Sequence, residues 1–239
     1  MILALALALH AFAAAPSATE LLRLSDRARG AAKTTKGLTW TSEVTSVENG
    51  DTSKVTYLVK VLGDDALAEV KDPPRQKGEV VLFNDRSLWF YKPGQKKPIN
   101  ISPRQKLIGQ AANGDIASTQ YARDYDATSV SEDKALRAWK LELKAKAKNV
   151  TYDRIRYWVD QGKKVAVKAE FLTLSGETFK TAEFQYGNDV TLAGKKIPFV
   201  SEMKIQDAMN ATNVTTLRYR NPREEAHSPS IFNVSSLTR

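Results

Sequence analysis

From residue 38 onward apolar and polar side chains alternate with a period of two, segment after segment, as they do in strands with one dry and one wet face. The clearest case is ALRAWKLELKAKA. There Trp139, Leu141, Leu143 and Ala145 alternate with Lys140, Glu142, Lys144 and Lys146. The pattern predicts strands over residues 38 to 47, 54 to 62, 66 to 70, 79 to 83, 87 to 91, 98 to 101, 136 to 146, 153 to 160, 165 to 174, 178 to 186, 197 to 207 and 213 to 220. Turn residues separate neighbours at short intervals, among them Asn49-Gly50-Asp51, Gly63-Asp64-Asp65, Pro93-Gly94 and Ser175-Gly176. Connections this short make antiparallel hairpins, not β-α-β units.

Three segments break the pattern. In SATELLRLSDRAR the period is 3.6: Leu21, Leu24 and Ala28 share a face, Arg23, Asp26 and Arg27 fall elsewhere, and Ser17 or Thr19 supplies an N-cap. That predicts an amphipathic N-terminal helix. Residues 103 to 135 are polar and small, with room for one or two short helices, the second capped by Asp115 or Ser118, and are expected to form a lid or a surface crossover. The tail contains two prolines and then IFNVSSL, a short helix packing Ile231, Phe232 and Leu237 downward.

Residues 1 to 15, MILALALALHAFAAA, are uncharged, apolar and end in small residues, which predicts a signal peptide cleaved after Ala13 or Ala15. The run is shorter than the ~18 to 20 residues of a membrane span. A single domain over residues 16 to 239, soluble in the periplasm and monomeric, is the expected product.

Composition removes most chemistry. There is no cysteine and only two histidines, so thiolate and multi-histidine metal sites and thiol catalysis have no residues to work with. No phosphate-binding glycine loop or metalloprotease motif occurs, and the paired carboxylates Asp64-Asp65 and Asp124/Asp126 lie in turn-like sequence. No enzyme activity, cofactor or metal is expected. The net charge of +9 favours anionic partners: phospholipid headgroups, lipopolysaccharide or an acidic envelope polymer. Export makes nucleic acid an unsuitable partner.

What remains is more dry strand face than the helices can cover. A curled antiparallel sheet of ten or more strands with an apolar concave face must be filled by side chains, a helix or a ligand. Candidate lining residues are Trp40, Tyr57, Trp89, Tyr91, Trp139, Leu141, Leu143, Tyr157 and Phe199. Ordinary core packing accounts for most such residues in sheets, and a register error of one turns a strand's set to the wrong face.

The N-terminal amphipathic helix, the strand meander, Trp89-Phe90-Tyr91 before Pro93, GQAANGDIASTQYARDY, the strand end Tyr157-Trp158-Val159-Asp160 and the start Ile197-Pro198 together resemble the LolA-like family of outer-membrane lipoprotein-sorting proteins. They are most similar to its less characterised branch, whose members accompany envelope lipid export systems. The resemblance implies a mainly β fold: an unclosed half-barrel with an N-terminal helix and short helices over its concave face, around a cavity for acyl chains. It also implies a carrier without chemistry, serving lipids or lipoproteins between an inner-membrane export transporter and an outer-membrane acceptor. In the best-studied carriers one strand arginine holds the lid closed. Here Arg123 lies in the presumptive lid and Arg154 and Arg156 on a strand, so none takes that role. An adaptor of a lipid export complex and a binder of acidic envelope polymer are the alternatives.

Overall fold

The computed structural model describes residues 16–31, 36–84, 86–117 and 120–238. The expected signal peptide and Ser118 lie outside the described residues.

Helix α1 (Ala18–Arg27) starts where Ser17 Oγ accepts the Glu20 N–H at 3.2 Å. Its buried face differs from the one the spacing predicts. Leu21, Leu22, Ser25 and Asp26 point inward while Leu24 is only half-buried. The helix thus turns a carboxylate toward the core, and Arg29 follows it at 5% exposure.

The strands run β1 (Leu38–Glu48), β2 (Asp51–Leu62), β3 (Asp65–Asp72), β4 (Val80–Asn84), β5 (Ser87–Tyr91), β6 (Ile99–Ile101), β7 (Lys106–Ile108) and β8 (Ala111–Ala112). After helices α2 (Asn113–Ala117) and α3 (Tyr121–Asp124) come β9 (Tyr125–Asp133), β10 (Ala138–Ala145), β11 (Arg154–Asp160), β12 (Ala166–Leu172) and β13 (Thr178–Gln185). The chain ends with β14 (Asn188–Leu192), β15 (Lys195–Phe199), β16 (Glu202–Asp207) and β17 (Val214–Glu224).

Thirteen of these strands form one antiparallel sheet in the order β6-β5-β4-β3-β2-β1-β17-β16-β13-β12-β11-β10-β9. Its outermost strands, β6 and β9, do not pair with each other, so the sheet stays an unclosed half-barrel, as expected. Register shifts at Thr39/Thr41, Thr56/Tyr57, Glu142/Leu143, Trp158/Val159 and Phe171/Leu172 are bulges of the kind that raise local twist and let a sheet curl. The segment from residue 102 to 124 links the two edges. It carries β7, β8, α2 and α3, and Arg104 forks onto Asp153 with both N···O distances 2.7 Å.

Three segments differ from their expected form. Residues 125 to 133 are a full strand, mostly exposed, at the sheet edge, where the polar composition hid the alternation. The single strand expected over 197 to 207 is broken. Val200 N–H donates to Ala28 O and Ser201 N–H to Gln185 O, which turns the backbone from the β14–β15 hairpin into the main sheet. The tail makes two 3-10 turns, Pro229–Phe232 and Val234–Ser236, in place of one helix.

Candidate functional site: the concave interior and its cover

The concave face carries the large apolar cluster, with Val59, Leu141, Ile155, Tyr157, Phe171, Met203 and Leu217 all inaccessible to solvent. Six of the nine candidate residues are buried in it: Trp40, Tyr57, Leu141, Leu143, Tyr157 and Phe199. Trp139 packs against its margin, half-buried. Trp89 and Tyr91 lie on the other face, with Leu67, Val80 and Leu82 under Phe232 of the tail. Leu88 and Phe90 point inward in their place, opposite Phe83 and Val81 of β4. The parity of this strand misleads because β4, VVLFN, is apolar on both faces, each face having its own cover.

Much of the interior is filled by the protein's own side chains, and an open recess of about 340 Å³ remains beside Tyr57, Val70, Val81 and Phe90. Leu21 and Leu22 of α1, Ile116 of α2 and Tyr121 of α3 sit in the cluster, together with Ala111 of β8. At the far end the β7–β8 turn approaches so closely that a Cβ on Gly109 would fall 1.7 Å from Ser46 Oγ. Only glycine fits there, with φ +55°. Gln110 N–H then donates to Thr215 Oγ1 at 2.7 Å. Between α1 and the sheet, beside Arg29, Trp40, Ile116 and Tyr219, a pocket of about 30 Å³ remains, room for no more than two or so waters.

The cover is held by polar groups. Asp26 Oδ2 accepts the Ala122 N–H at 2.7 Å, joining α1 to α3. Burial pushes the Asp26 carboxyl up to about 7, against the pull of the Ala122 N–H and of Arg29. Arg29 Nη1 donates to Tyr157 Oη at 3.3 Å, and the guanidinium lies 5.0 Å from the Tyr121 ring centre and 4.6 Å from that of Phe184. Among the described residues no carboxylate is within ion-pair distance of Arg29. Sequence spacing gave no sign of this interior cation, because Arg29 follows the last turn of a helix whose other arginines face water. Asp115 of α2 is buried, and its Oδ2 accepts both the Ala112 N–H and the Tyr152 hydroxyl at 2.8 Å. Burial raises its carboxyl above the usual range. Tyr121 stands edge-on to Tyr125 and Tyr157 at 5.2 and 5.1 Å, closing a ring of aromatics around Arg29.

Among the described residues no three His, Asp or Glu side chains gather as a metal site, and none of the described helices is long and apolar enough to cross a membrane.

A family model described as that of an uncharacterised protein matches residues 63–239, well over half of the chain. No curated protein matches the sequence. Among solved structures, a LolA superfamily protein from Nitrosomonas europaea is similar at TM-score 0.77 and 25% identity, covering 92% of this chain and 98% of that one. A structure described as an outer membrane lipoprotein-sorting protein domain from Vibrio parahaemolyticus gives TM-score 0.73 at 20% identity over 91% and 98%. A DUF1329 family protein from Desulfovibrio piger gives 0.70 at 17% over 91% and 98%. The chain belongs to that uncharacterised family, a less characterised branch of the LolA-like superfamily.

Proposed function

We propose that the protein is a non-enzymatic periplasmic carrier that takes the acyl chains of a lipid or lipoprotein into the concave interior when α1, α2 and α3 move aside. The observation that carries this reading is the nature of the cover. A curled sheet with an apolar inner face is closed by helices of 10, 5 and 4 residues, held through buried polar contacts of Asp26, Arg29 and Asp115. Helices this short have little stability of their own. An acyl chain that replaces them gains about 0.8 kcal/mol for each buried CH₂, enough over a dozen carbons to compete with a cover of this size. The similarity to lipoprotein-sorting domains supports the same reading.

A fluorescent fatty acyl probe tests it. The wild type takes up the probe and carries acyl-bearing lipid after purification. Ala169→Trp, which adds bulk to the concave floor beside Ala182, is expected to abolish uptake, with circular dichroism and urea unfolding checking that the sheet stays folded. Absence of both uptake and co-purified lipid sinks the carrier. The pocket of only about 30 Å³ between α1 and the sheet favours a second reading, an adaptor that binds a partner protein. In that case a stable complex in pull-down survives Ala169→Trp.

A further inference from the structure

A cleft of about 190 Å³ opens at the seam between the β4–β5 turn and the link from β10 to β11. Asn149 Nδ2 donates across this seam to Arg86 O at 3.0 Å. The floor is apolar, formed by Phe83, Tyr121, Tyr125 and Val150, and the rim is cationic, with Arg86, Arg123 and Lys146. The volume suits a phosphate-sized group and falls below the ~300 Å³ at which pockets for whole drug-sized ligands begin.

Arg123 is fixed in position but not saturated. Its Nε and Nη2 fork onto Asp124 at 2.6 and 2.7 Å, and its guanidinium lies 4.8 Å from the Phe83 ring centre. Its Nη1 is buried and has no hydrogen-bond partner among the described residues. A buried cationic N–H without an acceptor is unfavourable, and a turn of the guanidinium toward the cleft would bring it to an anion there. Lys146 Nζ donates to Ala122 O at 3.2 Å and lies 3.6 Å from Asp126, which leaves it N–H capacity. Arg86 is exposed and makes no ion pair among the described residues.

Two carboxylates, Asp115 and Asp124, also line the cleft, and both are already engaged. Asp124 holds Arg123, and Asp115 holds the Ala112 N–H and the Tyr152 hydroxyl. Beyond Lys146 the groove continues past Lys144, Lys148 and Arg154, none of them in an ion pair among the described residues. Its acids face other partners: Glu142 meets Lys140 and Arg156, and Asp153 meets Arg104. Net positive potential therefore converges on the seam. Tyr121 belongs both to the cleft floor and to the interior cluster, 5.1 Å from Tyr157. The cleft thus lies directly beside the space proposed for an acyl chain.

We infer that this cleft binds the phosphate of an anionic amphiphile, with Arg123, Arg86 and Lys146 as its ligands and the acyl chain running inward past Tyr121. The inference rests on the carrier reading and adds the headgroup class to it. The test compares two fluorescent probes with one acyl chain, a lysophosphatidic acid and the neutral monoacylglycerol, in the wild type, in Arg123→Gln, and in the double variant Arg86→Gln/Lys146→Gln, whose two sites are exposed. The wild type is expected to bind the phosphate probe about tenfold more tightly, the scale of one charge-assisted hydrogen bond. The variants are expected to bring the ratio close to one by weakening the phosphate probe alone. Equal affinity for both probes in the wild type, or a preference that survives in the double variant, overturns the headgroup site and leaves the carrier standing. Failure of both probes to bind overturns the carrier reading instead. Inorganic phosphate that binds alone as tightly as the acylated probe makes this a free-anion site and overturns the headgroup assignment.

Discussion

On the outer face of the sheet Phe232 packs against Leu67, Val80 and Leu82 at 1% exposure, with Trp89, Tyr91, Ile231 and Leu237 around it. On the inner face the covering helices meet the sheet partly through apolar side chains and partly through Asp26, Arg29 and Asp115, three ionisable groups withdrawn from water. An apolar seal loses all its burial energy when lifted and recovers nothing from solvent. A polar latch, once opened, regains the hydration that folding took from it. The inner cover is therefore the one suited to repeated opening, and the outer one to permanence.

Substitutions can separate the two covers. The largest effect is expected from Phe232→Ala, a loss of about 3 to 5 kcal/mol read from urea unfolding, with the rate of acyl-probe uptake unchanged. A variant that takes up probe faster would make the outer seal part of the gate. Next comes Asp26. Its carboxyl stands at about 7 when folded against 3.8 when free, so the folded state favours the protonated form. The resulting stabilisation is complete below about pH 3.8 and is lost as pH rises through about 7. Three pKa units amount to about 4 kcal/mol over that window. Arg29 and the Ala122 N–H oppose the shift, and Asp124 adds to it. Thermal unfolding from pH 5 to 8 should show the wild type losing stability relative to Asp26→Asn, and parallel curves would remove Asp26 from the latch.

Tyr152→Phe leaves the buried Asp115 carboxylate one donor short, and about 1 to 3 kcal/mol is the expected cost, with faster probe uptake because α2 is loosened. The smallest effect is assigned to Arg104→Ala. The Arg104–Asp153 fork is about one-third exposed on each side, and exposed pairs contribute under about 1 kcal/mol. A larger loss in chemical unfolding would give the edge linkage a role in holding the half-barrel together.

Alternation made the sheet legible wherever one face is wet, as along Trp139, Leu141 and Leu143. It failed in two opposite situations. In β4 and β5 both faces are covered, so Trp89 and Tyr91 look as inward as Leu88 and Phe90. In β9 neither face is well covered, so YDATSVSED reads as polar linker although its backbone pairs with β10 along its length, interrupted by one bulge. The latch was invisible for a different reason. Asp26 on a helix that also carries Arg23 and Arg27, and Arg29 just after it, look like its wet side, and only the packing of Tyr121, Tyr157 and Phe184 around Arg29 shows that they face inward.

Hydrogen exchange of the wild type, with and without a bound fatty acyl probe, tests the central claim most directly. The account predicts that loading speeds exchange at the Ala122 amide, freed from Asp26, and across α2 and α3. The tail amides of Ile231 and Asn233, which donate to Ser228 and Ser230, should keep their protection. A probe that binds while Ala122 stays protected, or that loosens the tail in its place, would contradict it.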